Sequence, residues 1–182
     1  MKMIRLFLIV ALFSALAPAS FALDPQELPP YLSSAKLQGS GRLTWWGLHI
    51  YDASFYRVGS LASPEFALDM RYQKSFSGVS IANRSVEEMK RIGITDAQAA
   101  QWGRELTAFL PNVESGHTLT AVYSPKQGTI FYHDGKQIAQ IPGTDFSKAF
   151  FGIWLDPKTS APKLRTDLLG QSCPPPLFTE AC

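Results

Sequence analysis

The residues with the most chemical potential stand close together in "GSGRLTWWGLHIYDASFY", residues 39–56, where Arg42, His49, Tyr51 and Asp52 interrupt a run of aromatic and aliphatic side chains. An arginine with a neighbouring tyrosine can hold a carboxylate or another oxygen anion. Extended backbone sends successive side chains to opposite faces. Leu43, Trp45, Gly47, His49, Tyr51, Ala53 and Phe55 then share one face; Arg42, Thr44, Trp46, Leu48, Ile50, Asp52, Ser54 and Tyr56 share the other. Both faces are largely apolar, so the strand is expected to be covered on both sides, with its polar groups in a ligand cleft or in structural hydrogen bonds. Arg42 and Tyr51 fall on one face only if Gly47 or the Gly39-Ser40-Gly41 segment introduces a bulge or bend, and such an irregularity is expected.

The elements that must position this strand are legible in the periodicity. Strands are expected at about 36–47, 48–57 and 66–73. Two amphipathic helices follow. The first carries Val86, Met89 and Ile92 at helical spacing. The second opens at Thr95 with Gln98 three residues on, buries Ala99, Trp102, Leu106 and Phe109, and stops at Pro111. Strand patterns return as "HTLTAVY", "GTIFYH" and "KQIAQI", the last two joined by the hairpin signal Asp134-Gly135. Thr144 and Ser160 are expected to cap two closing helices, the first bearing Phe146, Phe150, Ile153 and Trp154, the second Leu164, Leu168 and Leu169 before Gly170. Strands in blocks followed by helices in blocks imply an α+β fold: a large antiparallel sheet with helices packed on one face.

The chain begins Met-Lys-Met-Ile-Arg, runs apolar from Leu6 to about Ala17 and reaches Ser20-Phe21-Ala22, the anatomy of a secretory signal peptide. Residues 1–22 are therefore expected to be removed. The mature protein is expected to be periplasmic or secreted, with a domain at 23–170 and a tail at 171–182. The 17 basic and 15 acidic groups of the whole chain become 15 of each once Lys2 and Arg5 are lost. No basic excess marks a nucleic-acid partner. The apolar run is shorter than the roughly 20 residues of a spanning helix, so no stable membrane insertion is expected. The two cysteines, Cys173 and Cys182, frame "CPPPLFTEAC"; in an exported protein they are expected to close a small disulfide loop rather than to form a redox or zinc site.

Familiar catalytic signatures are absent from the sequence: there is no G-x-S-x-G, H-E-x-x-H, P-loop or G-x-G-x-x-G motif. His49, His117 and His133 lie on three separate predicted strands, and no metal site or cofactor is expected, although strand neighbours could bring two of them together. Glu87-Glu88, flanked by Arg84, Lys90 and Arg91, reads as a solvated helix face with i, i+3 and i, i+4 ion pairs. Aromatics such as Trp45, Trp46, Phe150 and Trp154 read first as core.

Gly39-Ser40-Gly41, "HIYDASFY", "LDMRYQKSFSG" running into "VEEMKRIG", "GTIFYHDGKQIAQIPG", and "FFGIWL" with a terminal Leu-Leu-Gly follow one another in an order that resembles the chalcone isomerase-like family, closest to its exported bacterial branch. The resemblance implies an open-faced β-sandwich, and either cyclisation of chalcones, as in the plant enzymes, or fatty-acid binding, as in other members. It places the enzymes' arginine at Leu43, one residue after Arg42, their threonine at about Tyr51, and their tyrosine and asparagine near Ile81 and Glu88. The isomerase set is thus not intact, and no catalytic residue is assigned.

Binding asks for less: an apolar tunnel and a few polar groups at its end. Arg42, Tyr51, Tyr72 and Asn83 are the expected ligand-binding residues, with Arg71 an alternative cation. The expected partner is a small apolar or amphipathic ligand such as a fatty acid. An isomerase or lyase acting on an aromatic or enone substrate, and an accessory or interaction protein of the envelope, remain alternatives.

Overall fold

The computed structural model describes residues 35–58 and 64–178. The expected signal segment, and Cys182 with its expected bond to Cys173, lie outside the described residues. Six strands form one antiparallel sheet in the order of the chain: β1 (Ala35–Trp45), β2 (Leu48–Val58), β3 (Phe66–Tyr72), β4 (Thr118–Ser124), β5 (Gly128–His133) and β6 (Lys136–Ile141). Helices α1 (Gly78–Arg91) and α2 (Asp96–Phe109) lie between β3 and β4, and α3 (Thr144–Leu155) and α4 (Pro162–Leu169) follow β6. The expected blocks of strands and helices are all present, and the fold is α+β.

The principal core lies between the sheet and the helices. Phe55, Phe66 and Leu68 from β2 and β3 meet Met89, Leu106, Phe151, Leu155 and Leu168, all fully or almost fully buried. Ring contacts knit it: Phe66 meets Phe151 edge-on at 4.7 Å, and Phe150 touches Phe131 at 5.0 Å and Trp154 at 5.4 Å. A smaller buried cluster of Tyr56, Ala67, Val122, Ile130 and Tyr132 occupies the opposite sheet face, where Thr120 donates to Asp69 at 2.7 Å. The middle strands are therefore buried on both faces, as their near-continuous apolar runs require.

Caps follow the backbone more than residue type. Thr95 caps α2 by accepting from the Gln98 N–H, and Ser77 caps α1 by accepting from Ser80. The other two expectations are corrected. Thr144 is the first residue of α3, behind Gly143 at φ 95°, and no side chain caps it. Ser160 precedes the Ala161 cap of α4 and sends its hydroxyl instead to Glu88, at 2.9 Å. Proline at the first position supplies the preset φ that starts α4.

Candidate functional site

Between the sheet and the helices lies a cavity of about 580 Å³. Its walls are mainly apolar: Leu43, Ile50, Met70, Phe76, Leu110, Leu119, Phe131, Phe150 and Ile153. That volume falls within the roughly 300–1,000 Å³ of small-molecule sites.

The shape of this cavity depends on one irregularity. Leu43 pairs with Tyr51, but the next residue, Thr44, pairs with His49, so Ile50 is the extra residue of a bulge. Ile50 and Tyr51 consequently both line the cavity, and His49 is turned to the opposite face, where its Nε2 lies 2.9 Å from Asp52 Oδ1. Regular alternation would have put His49 beside Tyr51. A second register shift lies between Leu37 and Gly39. Gly47 carries no bulge; Trp46 and Gly47, at φ 50° and 77°, make the tight turn between β1 and β2.

Neither irregularity brings Arg42 to Tyr51. Gly41 abuts Asp167 and Leu164 of α4, so its neighbour Arg42 faces away from the helices. Arg42 borders the cavity mouth, yet its Nε points to Asp52 Oδ1 at 3.4 Å, while Gln73 donates to Asp52 Oδ2 at 3.1 Å. Asp52 is a shared acceptor on the far side of the strand. Arg71, unlike Arg42, does not line the cavity, and it reaches the Gly116 carbonyl at 3.3 Å.

Tyr51 and Tyr72, register partners on β2 and β3, stand edge to face at 5.6 Å on the cavity wall. Trp154 Nε1 donates to the Tyr51 hydroxyl at 2.8 Å. The hydroxyl's own proton is left to donate inward. Burial pushes the titration of both phenols far above the ordinary tyrosine value, with the Tyr51 phenol as a further, smaller cause at Tyr72. Both are therefore neutral hydrogen-bond donors at any physiological pH. Asn83 is on the exposed face of α1 and does not reach the cavity: Ser80, Ile81, Arg84, Ser85 and Glu88 form the stripe that does, and Asn83 falls outside its helical spacing.

That stripe supplies the groups the sequence reading missed. Glu88, expected on a solvated face, is buried at 3% exposure. It is paired with Arg84, lies 3.5 Å from Arg91 Nε and accepts from Ser160. Arg84 also lies over the Trp45 indole, 4.4 Å from its centroid, so the guanidinium is held between the β1–β2 hairpin and the helix that carries it. The available signal was the spacing of Ser85 and Glu88 with Gly78, Ala82 and Met89, the other buried positions of α1. Trp45 rims the cavity and Phe150 and Trp154 line it, whereas Trp46 is 89% exposed rather than core.

A family model described as chalcone isomerase-like matches residues 32–170. The chain belongs to the chalcone isomerase-like family. An uncharacterised protein of Haemophilus influenzae is 27% identical over 143 residues, covering 74% of this chain and 67% of that protein. The crystal structure of a fatty-acid-binding protein of Arabidopsis thaliana superposes with a TM-score of 0.58 at 12% identity, covering 78% of this chain and 94% of that one. At that identity the likeness is one of fold. The positions to which the resemblance carries the enzymes' polar residues, Leu43, Tyr51, Ile81 and Glu88, all line the cavity. Those four positions carry two apolar side chains, a buried phenol and an ion-paired carboxylate.

Proposed function

We propose that this protein is a non-catalytic, exported member of the family, from its bacterial branch, that binds an amphipathic acid such as a fatty acid in the cavity. One observation carries the reading: a large, mainly apolar cavity whose polar lining includes two neutral phenols, Tyr51 and Tyr72, and the Arg84–Glu88 pair. Arg91 lies against the same carboxylate from outside the cavity lining, so the ion group carries a net positive charge, and Arg84 is its cationic member on the wall. Oxygen acceptors on the ligand head match the phenol O–H groups, and its chain matches the aromatic wall. The fatty-acid binding of the Arabidopsis structural relative supports this ligand class. Among the described residues no helix is long and apolar enough to cross a membrane.

Native mass spectrometry of protein purified from its own compartment, followed by calorimetry with a long-chain fatty acid, tests the reading. An acyl chain that co-purifies, and binding that is weakened in both Arg84→Ala and Tyr72→Phe, is the expected outcome. An empty protein that takes up neither the acid nor its uncharged alcohol would overturn it. Export is tested by intact mass: the mature chain should begin at Leu23 and gain no alkylation before reduction, reflecting a Cys173–Cys182 bond.

A second reading, an accessory protein of the envelope, is favoured by the hairpin tip, where Trp45, Trp46 and Leu48 are all exposed. Sedimentation with phospholipid vesicles that is lost in Trp46→Ser, with fatty-acid affinity intact, would favour it.

A further inference from the structure

We propose that His117, His133 and Asp134 form a binding site for one divalent transition-metal ion of the zinc type, separate from the lipid cavity. The antiparallel pairing of β3, β4 and β5 assembles it. The His117 carbonyl accepts from the Tyr72 N–H at the end of β3, and His133 is the register partner of Leu119 across the β4–β5 pair. Two histidines far apart in sequence are thereby placed side by side, with their rings edge to face at 5.2 Å.

The three donor atoms converge. His133 Nε2 lies 3.3 Å from His117 Nδ1 and 3.3 Å from Asp134 Oδ2, and His117 Nδ1 lies 3.9 Å from the same oxygen. Ligands about 2.1 Å from a tetrahedral zinc are about 3.4 Å from one another. The triangle therefore fits one face of a zinc tetrahedron, with the fourth position open to water or a further ligand. Two imidazoles and one carboxylate suit zinc and its first-row neighbours better than calcium or magnesium, which favour oxygen-only shells.

The carboxylate is held in place from behind. Asp134 Oδ1 accepts from the Thr118 N–H at 2.7 Å and lies 3.3 Å from the Thr118 hydroxyl, and the Asp134 N–H donates to the Thr118 carbonyl at 3.1 Å. Oδ2 is then the oxygen presented to the imidazoles, with its orientation fixed by an outer partner as in many metal sites. The Asp134-Gly135 turn thus does two things. Its backbone, at φ 47° and 75°, closes the β5–β6 hairpin, and its side chain completes the donor set. With side chains 38%, 22% and 47% exposed, His117, His133 and Asp134 leave an ion a direct path from solvent.

The alternative is that the imidazoles and the carboxylate bond only to one another, and titration separates the two cases. Full-length untagged protein, stripped with a chelator, is titrated with zinc chloride in a calorimeter and with cobalt(II) by visible absorption. The site predicts one zinc per chain, affinity reduced more than about tenfold in His117→Ala and in His133→Ala, and no change in His49→Ala, which lies elsewhere on the sheet. Cobalt should give the intense visible bands of a tetrahedral complex, lost in the same two variants. Because both histidines are partly exposed, the variants should keep the wild-type circular dichroism, and His117→Gln and His133→Gln replace any that do not. Absence of saturable zinc binding, or binding undiminished in both histidine variants, overturns the proposal.

Discussion

Trp154 on α3 donates a 2.8 Å hydrogen bond to the hydroxyl of Tyr51 on β2, both on the cavity wall. Both residues are buried, and the bond ties helix to sheet next to the bulge that brings Ile50 to the same cavity as Tyr51. The phenol is held as an acceptor on one side and left as a donor on the other. Under the proposed function one side chain serves packing and recognition together. In Tyr51→Phe the indole N–H should be left buried without a partner, a cost of about 1–3 kcal/mol. Urea denaturation should show this loss, and fatty-acid affinity should fall in the same variant. An unchanged midpoint would mean that the indole finds water instead.

The neutral phenols also set an alkaline limit on stability. Tyr51 and Tyr72 have titrations raised by burial above the ordinary 10.0, so the unfolded chain ionises first as pH rises. Above about pH 10 the native state holds more protons than the unfolded state, and stability falls by about 1.4 kcal/mol per pH unit for each such group. Below that pH their contribution is complete. Denaturation midpoints should therefore be flat up to pH 9 and drop beyond pH 10, with a shallower slope in Tyr72→Phe.

The positions of Arg42 and Arg84 show what was legible in the sequence and what was not. Thr95, with Gln98 three residues on, and the Asp134-Gly135 turn are local signals read by local backbone geometry, and both stand where expected. The Ile50 bulge leaves no such mark, because Ile50 and Tyr51 are both apolar enough for either face, and the alternation looks the same with or without it. Without that bulge a reader places His49 beside Tyr51. Glu88 is harder still. An acidic residue among arginines on a helix usually belongs to a solvated face, and here Arg84, Arg91 and Ser160 make its burial tolerable only after α1 and the α3–α4 connection have met. The four positions transferred by the family resemblance all line the cavity, and two of them, Tyr51 and Glu88, are polar; Arg84, paired with Glu88, is the lining group that the resemblance did not mark.

Arg42 now has a different expectation from the one its position invited. Its guanidinium is spent on Asp52, on the face opposite Tyr51, and its side chain is 56% exposed. An exposed ion pair contributes about 0–1 kcal/mol, so Arg42→Ala should change stability by less than that and leave fatty-acid affinity within about twofold. Arg84→Ala should weaken the acid much more than its alcohol of equal length. Calorimetry of both variants with both ligands checks the contrast, and a larger effect at Arg42 would return the cationic role to β1.

Gly39 and Gly41 provide the last test, because the G-x-G that opens the motif works here by close packing. A Cβ on Gly39 would lie 2.3 Å from the Asp167 carbonyl oxygen and 2.5 Å from that of Leu168, both backbone atoms of α4 that cannot yield unless the helix moves. On Gly41 the nearest atoms, at 2.7 and 2.8 Å, are Asp167 Cβ and Leu164 Cδ1, of which the latter can rotate away. The Gln38 amide adds a bond to the Leu169 carbonyl at 3.0 Å, fixing the end of the same helix on β1. Overpacking of this kind costs about 1–3 kcal/mol, so Gly39→Ala should lie at the upper end and Gly41→Ala nearer the lower. Ser40→Ala, on the exposed side between them, should be close to neutral. Leu164 lines the cavity, so a displaced α4 should also reshape the ligand site, and Gly39→Ala should lose fatty-acid affinity along with stability. Denaturation and calorimetry on the three variants decide it: equal stability of Gly39→Ala and Ser40→Ala would mean that α4 does not need this close approach.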